Sequence, residues 1–109
     1  MKKIYTLITL YFIPSFITKA QDIPFEKSYF KERKDEFKEA KSALDEANTL
    51  YEQGYQAYKV ALSLFLKAQN FNPNNAEVNY KVGKCYLYSS YKTKATPYLE
   101  KALELNPNV

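Results

Sequence analysis

The chain repeats one short phrase, and the distance between the two copies is the feature that most constrains the fold. Residues 67–74 read KAQNFNPN and residues 101–108 read KALELNPN. Pro73 and Pro107 are therefore 34 residues apart. This period is typical of helix–turn–helix units that stack, because each unit has an apolar face that only a neighbouring unit can cover. The repeat predicts an all-α protein made of helix pairs, and such pairs usually hold partners.

The first 20 residues have the three-part plan of a secretory signal. Residues 1–3 are a basic start, residues 4–17 are apolar, and residues 18–20 supply the small-residue cleavage site. The apolar stretch contains Pro14 and is shorter than the roughly 20 residues that a membrane-spanning helix needs. We therefore expect residues 1–20 to be a signal peptide and the mature chain to be exported, either periplasmic or associated with the outer membrane.

Removal of the signal would also remove most of the excess positive charge. The full chain has 16 Lys and Arg against 12 Asp and Glu. Lys2, Lys3 and Lys19 belong to the predicted signal, so 13 basic residues remain against 12 acidic ones, a net charge of +1. A nucleic-acid-binding protein needs a basic surface that survives processing. We therefore expect no nucleic-acid partner.

Residue types that enzymes and metal sites use are scarce. The chain has no His and one cysteine, Cys85, which excludes an internal disulfide and a nitrogen–sulfur metal site. Gly54 and Gly83 are too few for a phosphate-binding loop. We predict a non-catalytic protein with no cofactor and no metal. Cys85 lies far from the signal, so we expect a buried apolar side chain and no lipid anchor.

Apolar periodicity predicts the first helix. Residues 24–53 contain good helix formers, with no Gly and no Pro after the first position. An apolar stripe recurs every seven residues, with alanines between its members: Phe30, Phe37, Ala40, Leu44, Ala47 and Tyr51. The pattern predicts one long helix, or two helices broken near Lys41-Ser42, whose charged first part is a solvated cap.

Three further helices are predicted at residues 58–70, 76–89 and 93–105. Residues 54–57 are the turn before the first of them, and an Asn-Pro pair ends the first and the last. The side chains expected to face inward are Val60, Ala61, Leu64, Phe65 and Ala68 in the first, and Val78, Val82, Cys85 and Tyr86 in the second.

The second helix pair resembles the tetratricopeptide repeat family. The matching positions are Val82, Gly83 and Tyr86 in its first helix and Ala95, Leu99, Ala102 and Pro107 in its second. The physical reason for the pattern is that Gly83 and Ala95 let the two helices approach closely while Tyr86 and Leu99 fill the space beside them.

The first pair is similar to the same motif at fewer positions. Ala61, Phe65, Ala68 and Pro73 match its later half, and Ala47 and Leu50 match its first half if two residues are inserted near Gly54-Tyr55. The resemblance implies an α-solenoid fragment of antiparallel helix pairs. Its parts would be a lead-in and charged capping helix at 21–42, one repeat at 43–75 and another at 76–109.

A narrower resemblance concerns residues 71–87, residues 91–102 and the Ala20-Gln21 signal end. These are similar to exported proteins in which a tetratricopeptide segment precedes a WD40-like propeller and an OmpA-type domain, including a periplasmic component of type IX secretion. The resemblance implies the N-terminal part of a larger envelope or secretion-complex protein, or a shortened relative. Its partners would be proteins of the cell envelope.

The last helix has no predicted cap. Leu99, Leu103 and Leu105 lie on it, and two repeats are fewer than the three or so that such arrays usually need. We therefore expect an exposed apolar edge here, which would permit self-association through the C-terminal helix.

The first helix of each pair lines the inner face of a tetratricopeptide array, so the resemblance also implies a partner-binding surface. We define the predicted partner face as Glu77, Tyr80, Lys84, Leu87 and Tyr88 with the first-repeat positions Lys41, Leu44, Asn48, Tyr51 and Glu52. Exposed tyrosines supply contact area at low entropic cost.

Two other functions are less well supported by the residues of the chain. A glycan-binding helical protein of a nutrient-uptake system would also use aromatic side chains, but such proteins usually have a lipid-anchored N-terminal cysteine. An enzyme is disfavoured, because Glu100 and Glu104 lie four residues apart on one helix face and do not form a positioned acid–base pair.

Overall fold

The computed structural model of the protein describes residues 20–109, which form four α-helices. They are α1 (Lys34–Glu52), α2 (Tyr58–Phe71), α3 (Ala76–Leu87) and α4 (Ala95–Leu105). Short 3-10 helices at Lys27–Tyr29, Tyr55–Ala57 and Lys92–Lys94 precede α1, α2 and α4. No strand occurs within residues 20–109, so the all-α prediction is confirmed. The predicted signal lies outside the described residues except for Ala20.

Each helix packs on the next one along the chain: α1 on α2, α2 on α3 and α3 on α4. The core that joins the first three is made of Leu44 and Ala47 from α1, Tyr58, Ala61, Phe65 and Ala68 from α2, and Val78, Val82 and Cys85 from α3. Most of these side chains were predicted to face inward. Val60 was wrongly included, because its side chain is 56% exposed.

The first helix is continuous through Lys41-Ser42 and begins at Lys34, ten residues later than its sequence pattern predicts. The reason is an aromatic cluster of Phe25, Phe30, Phe37 and Phe71, whose rings lie 4.7–6.3 Å apart. A helix that began at residue 24 would hold Phe25 and Phe30 in line with α1 and away from Phe71. The chain instead folds back, which buries aromatic area that the longer helix would leave exposed.

An N-terminal strap, residues 22–25, fastens the turn between α2 and α3. The Ile23 N–H donates to the Asn74 carbonyl (2.8 Å), and the Ile23 carbonyl accepts from the side chains of Asn72 and Asn75 (3.0 Å each). The Ala76 N–H at the start of α3 donates to Asp22 Oδ1 (2.9 Å). The strap thus satisfies polar groups that the turn would otherwise leave without partners.

Some positions 34 residues apart have the same environment in α2 and α4, among them Ala61 with Ala95 and Ala68 with Ala102. Ala68 and Ala102 are completely buried, and in each repeat the asparagine four residues later, Asn72 or Asn106, donates its N–H to that alanine's carbonyl (2.9 Å). The two helices differ in length, since α2 has 14 residues and α4 has 11.

The C-terminal helix shows part of the predicted apolar edge. Leu103 is 56% exposed, whereas Leu105 is buried at 8% and Leu99 is half-buried. Leu99 is withdrawn from solvent because it packs against Gly83 of α3. Leu103 is thus the main apolar side chain that α4 leaves exposed.

Replacement of Gly83 by alanine tests the close contact between α3 and α4. A Cβ atom at this position would lie 2.5 Å from Leu99 Cδ2 and 3.3 Å from the Ala95 carbonyl oxygen. Alanine should gain about 1 kcal/mol in helix propensity, yet we expect a net loss of about 1–3 kcal/mol because the site is overpacked. Chemical denaturation measures the difference. In a Leu99→Ala background the loss should shrink; an undiminished loss there would contradict the packing argument.

Replacement of Asn79 by alanine tests the buried hydrogen bonds that hold the turn between α2 and α3. Asn79 has no exposed surface, and its Nδ2 donates to the carbonyls of Pro73 (2.9 Å) and Asn75 (2.8 Å). Alanine would leave these acceptors short of a donor, so the free energy of unfolding should fall by about 1–3 kcal/mol. The matched control is Asn70→Ala on the exposed side of α2, which should change stability by less than about 0.5 kcal/mol. Equal effects would refute the assignment.

Candidate interaction surface

Lys81 organises the region where α1 and α3 meet. Its ammonium donates to Asn48 Oδ1 (2.7 Å), forms an ion pair with Glu77 (2.9 Å) and lies 5.3 Å from the centre of the Tyr51 ring. Lys84 lies one turn further along α3, with its Nζ 5.7 Å from the same ring. Since the Lys81 side chain is only 17% exposed, these contacts are partly shielded from water.

Some residues of the predicted partner face therefore lie close together in the structure. Asn48, Tyr51, Glu77 and Lys84 converge around Lys81, a residue that the sequence argument missed. The sequence does indicate this position, because Lys81 lies four residues after Glu77 and three before Lys84 and so shares their side of α3.

The remaining predicted positions have different environments. Tyr80, Leu87 and Tyr88 are exposed by 36%, 45% and 60%, and Glu52 is also exposed. Lys41 is half-buried. Leu44 was wrongly expected on this surface, because it is buried at 8% within the core that α1 shares with α2 and α3.

A chain of tyrosine rings extends from this surface to the turn before α2. Tyr51 stacks on Tyr58 (4.7 Å, 8°), Tyr58 meets Tyr88 edge-on (5.4 Å, 84°), and Tyr88 stacks on Tyr55 (6.0 Å, 22°). Tyr55 and Tyr58 were not identified from the sequence. Burial, and then the nearby Tyr58 hydroxyl, raise the pKa of Tyr51 far above its usual value, so this phenol stays protonated and neutral.

Two hollows lie beside Lys81 and Glu77. One, of about 220 Å³, is bounded by Asn48 of α1, Val78 of α3 and Phe25 of the N-terminal strap. The other, of about 440 Å³, extends past Tyr80 towards Asn106. The surface formed by α1 and α3 is thus uneven, contains both charges and exposed aromatic rings, and can accept protruding side chains of a partner.

The described residues contain no group of three or more His, Cys, Asp or Glu that could hold a metal ion. Between residues 20 and 109, none of the helices is long and apolar enough to cross a membrane.

No protein-family model matches the chain, and no curated protein or solved structure matches it significantly.

The reactivity of Cys85 on α3 tests whether its thiol is buried in the folded protein. The thiol is 2% exposed, and burial raises its pKa to about 11 although the Lys84 ammonium acts in the opposite direction. A rise of about two units lowers the thiolate fraction roughly 100-fold near pH 8. Alkylation by iodoacetamide should therefore be at least about 100-fold slower in the folded protein than in denaturant. Similar alkylation rates in both states would contradict the burial.

The folded state favours the neutral thiol of Cys85. With respect to this group, the free energy of unfolding is therefore highest below the pKa of the unfolded state, and it falls as pH rises from there towards 11.

Proposed function

We propose that this chain is a non-catalytic interaction scaffold and that it binds a protein partner on the surface where α1 and α3 meet. The observation that supports this most directly is the convergence of Asn48, Tyr51, Glu77 and Lys84 around Lys81 beside two hollows. Large, partly exposed aromatic rings next to charged groups are typical of protein-binding surfaces.

The helix pairs α1–α2 and α3–α4 are, in this proposal, two tetratricopeptide-like repeats that run antiparallel within each pair. Support comes from the 34-residue period and from the matching environments of Ala68 and Ala102. Further support comes from Gly83, whose missing side chain lets α3 approach Leu99 of α4. The short connections between consecutive helices that pack on each other favour antiparallel neighbours.

Location and wider context are also proposed. The signal-like pattern of residues 1–20 supports export to the periplasm or the outer membrane. The resemblance of residues 71–87 to exported multidomain proteins supports a role as the N-terminal part of a larger envelope or secretion-complex protein. Leu103, exposed on α4, supports self-association as a further mode of contact.

A second candidate function is binding of a glycan. The observation that favours it is the exposure of the stacked rings of Tyr55 and Tyr88, which are 63% and 60% accessible. Flat aromatic surfaces of this kind can pack on the apolar faces of sugar rings. Calorimetric titration of the full chain with soluble oligosaccharides distinguishes this function from protein binding.

Site-specific photocrosslinking in the native host tests the protein-binding proposal. A benzoylphenylalanine at Tyr80 or at Tyr88 should give a discrete crosslinked species of higher mass, because both positions are exposed on the proposed surface. The controls are Lys67 on α2 and Glu100 on α4, which are also exposed. We expect little crosslinking from them. The same species from all four positions, or from none, would contradict the proposed surface.

A further inference from the structure

A cleft of about 860 Å³ lies between the 3-10 helix Lys27–Tyr29 and the first half of α1, away from the Lys81 region. Five lysines line it: Lys27, Lys31, Lys34, Lys38 and Lys41. The 8% of Phe37 that is exposed also lines the cleft, and Asp45 is its one carboxylate. The cleft falls within the size range of sites that bind ligands.

Most of the positive charge in the cleft is uncompensated. Lys41 forms an ion pair with Asp45 (2.5 Å), but the other four lysines pair with no carboxylate within residues 20–109. Lys34 and Lys38 lie four residues apart on one helix face, where like charges repel. The arrangement costs stability in the free protein, and an anionic ligand would remove that cost.

The charges of α1 are also segregated. Lys34, Lys38 and Lys41 recur at helical spacing along the cleft, whereas Asp35 and Glu39 lie on another side of the same helix. The three lysines extend over about 10 Å of helix, since each residue adds about 1.5 Å. An extended peptide covers that distance with about three residues at about 3.3 Å each.

We propose that this cleft, which we call the lysine cleft, binds an extended acidic segment of a protein. The segment would hold several Asp or Glu side chains against Lys31, Lys34 and Lys38 and one apolar side chain against Phe37. This site is separate from the α1–α3 surface and does not depend on the function proposed for that surface.

The shape of the site and the nearby charges favour a peptide over other polyanions. A concave cleft admits a narrow chain more easily than the flat surface of a membrane. The exposed carboxylates of Asp35 and Glu39 lie on the same helix and would repel a long polyanion such as a nucleic acid. A short acidic segment can stay within the cleft and avoid them.

Binding of a defined probe to the full chain tests the proposal. The probe is a fluorescein-labelled peptide of about five residues, all Asp or Glu except one central Leu, which spans the lysines of the cleft and little more. Fluorescence anisotropy should detect binding at low salt that weakens strongly by about 300 mM NaCl. The variant Lys31→Gln/Lys34→Gln/Lys38→Gln should bind about tenfold more weakly, since three exposed ion pairs are lost.

Two variants serve as controls. Lys59→Gln/Lys67→Gln/Lys92→Gln removes the same charge from exposed positions elsewhere and should bind nearly as the unmodified chain does. Lys31→Arg/Lys34→Arg/Lys38→Arg should retain binding, which separates the loss of charge from any loss of structure. Circular dichroism checks folding, and Gln and Lys have similar helix propensities.

Several outcomes would overturn the proposal. No peptide binding by the unmodified chain would do so, as would equal losses in the cleft and control variants. Vesicles of phosphatidylglycerol or an oligothymidine that bind more tightly through the same three lysines would reassign the cleft to a membrane or to nucleic acid. Photocrosslinking at Tyr80 and Tyr88 stays a separate measurement, so failure at one surface does not decide the other.

Discussion

The close approach of neighbouring helices at alanine and glycine positions is the constraint on which the rest of the fold depends. Ala47, Ala61 and Ala68 are completely buried in the core of α1, α2 and α3, and Gly83 allows α4 the same proximity to α3. Small side chains bury little apolar area themselves. They allow larger neighbours such as Phe65 to pack at the density of a protein interior, and that packing positions the surface where α1 and α3 meet.

The repeated Asn-Pro-Asn phrase has different surroundings in its two copies. In the first copy, Asn72 is buried and binds the carbonyl of Ile23 in the N-terminal strap. In the second copy, Asn106 is half-buried and its side chain accepts a hydrogen bond from the nearby Asn108 N–H (3.0 Å). The same local chemistry thus ends both helices, while the first copy also supports a contact that is distant in sequence. The difference arises because an asparagine side chain can cap its own turn or bind another segment.

Lysines have two roles in this molecule. Lys81 is largely buried and is used internally, where it ties α3 to α1 through Asn48 and Tyr51. Lys34 and Lys38 are exposed and form no ion pair within the described part of the chain. A lysine that has an ion-pair or hydrogen-bond partner inside the protein stabilises the fold. A cluster of lysines with no ion-pair partner can attract an anionic ligand. Composition and net charge do not distinguish these roles, because the distinction depends on which carboxylates lie within reach.

The sequence by itself determined the helical class, the ends of α2 and α4 and most of the core, because apolar spacing and Asn-Pro turns are local signals. It also placed Cys85 inside and identified several members of the α1–α3 surface. Only the tertiary structure decided where α1 begins, since Phe25 and Phe30 leave the helical path to reach Phe71 on another helix. It likewise placed Lys81 at the centre of the α1–α3 surface. Those outcomes depend on contacts between segments far apart in sequence, and local patterns do not encode such contacts.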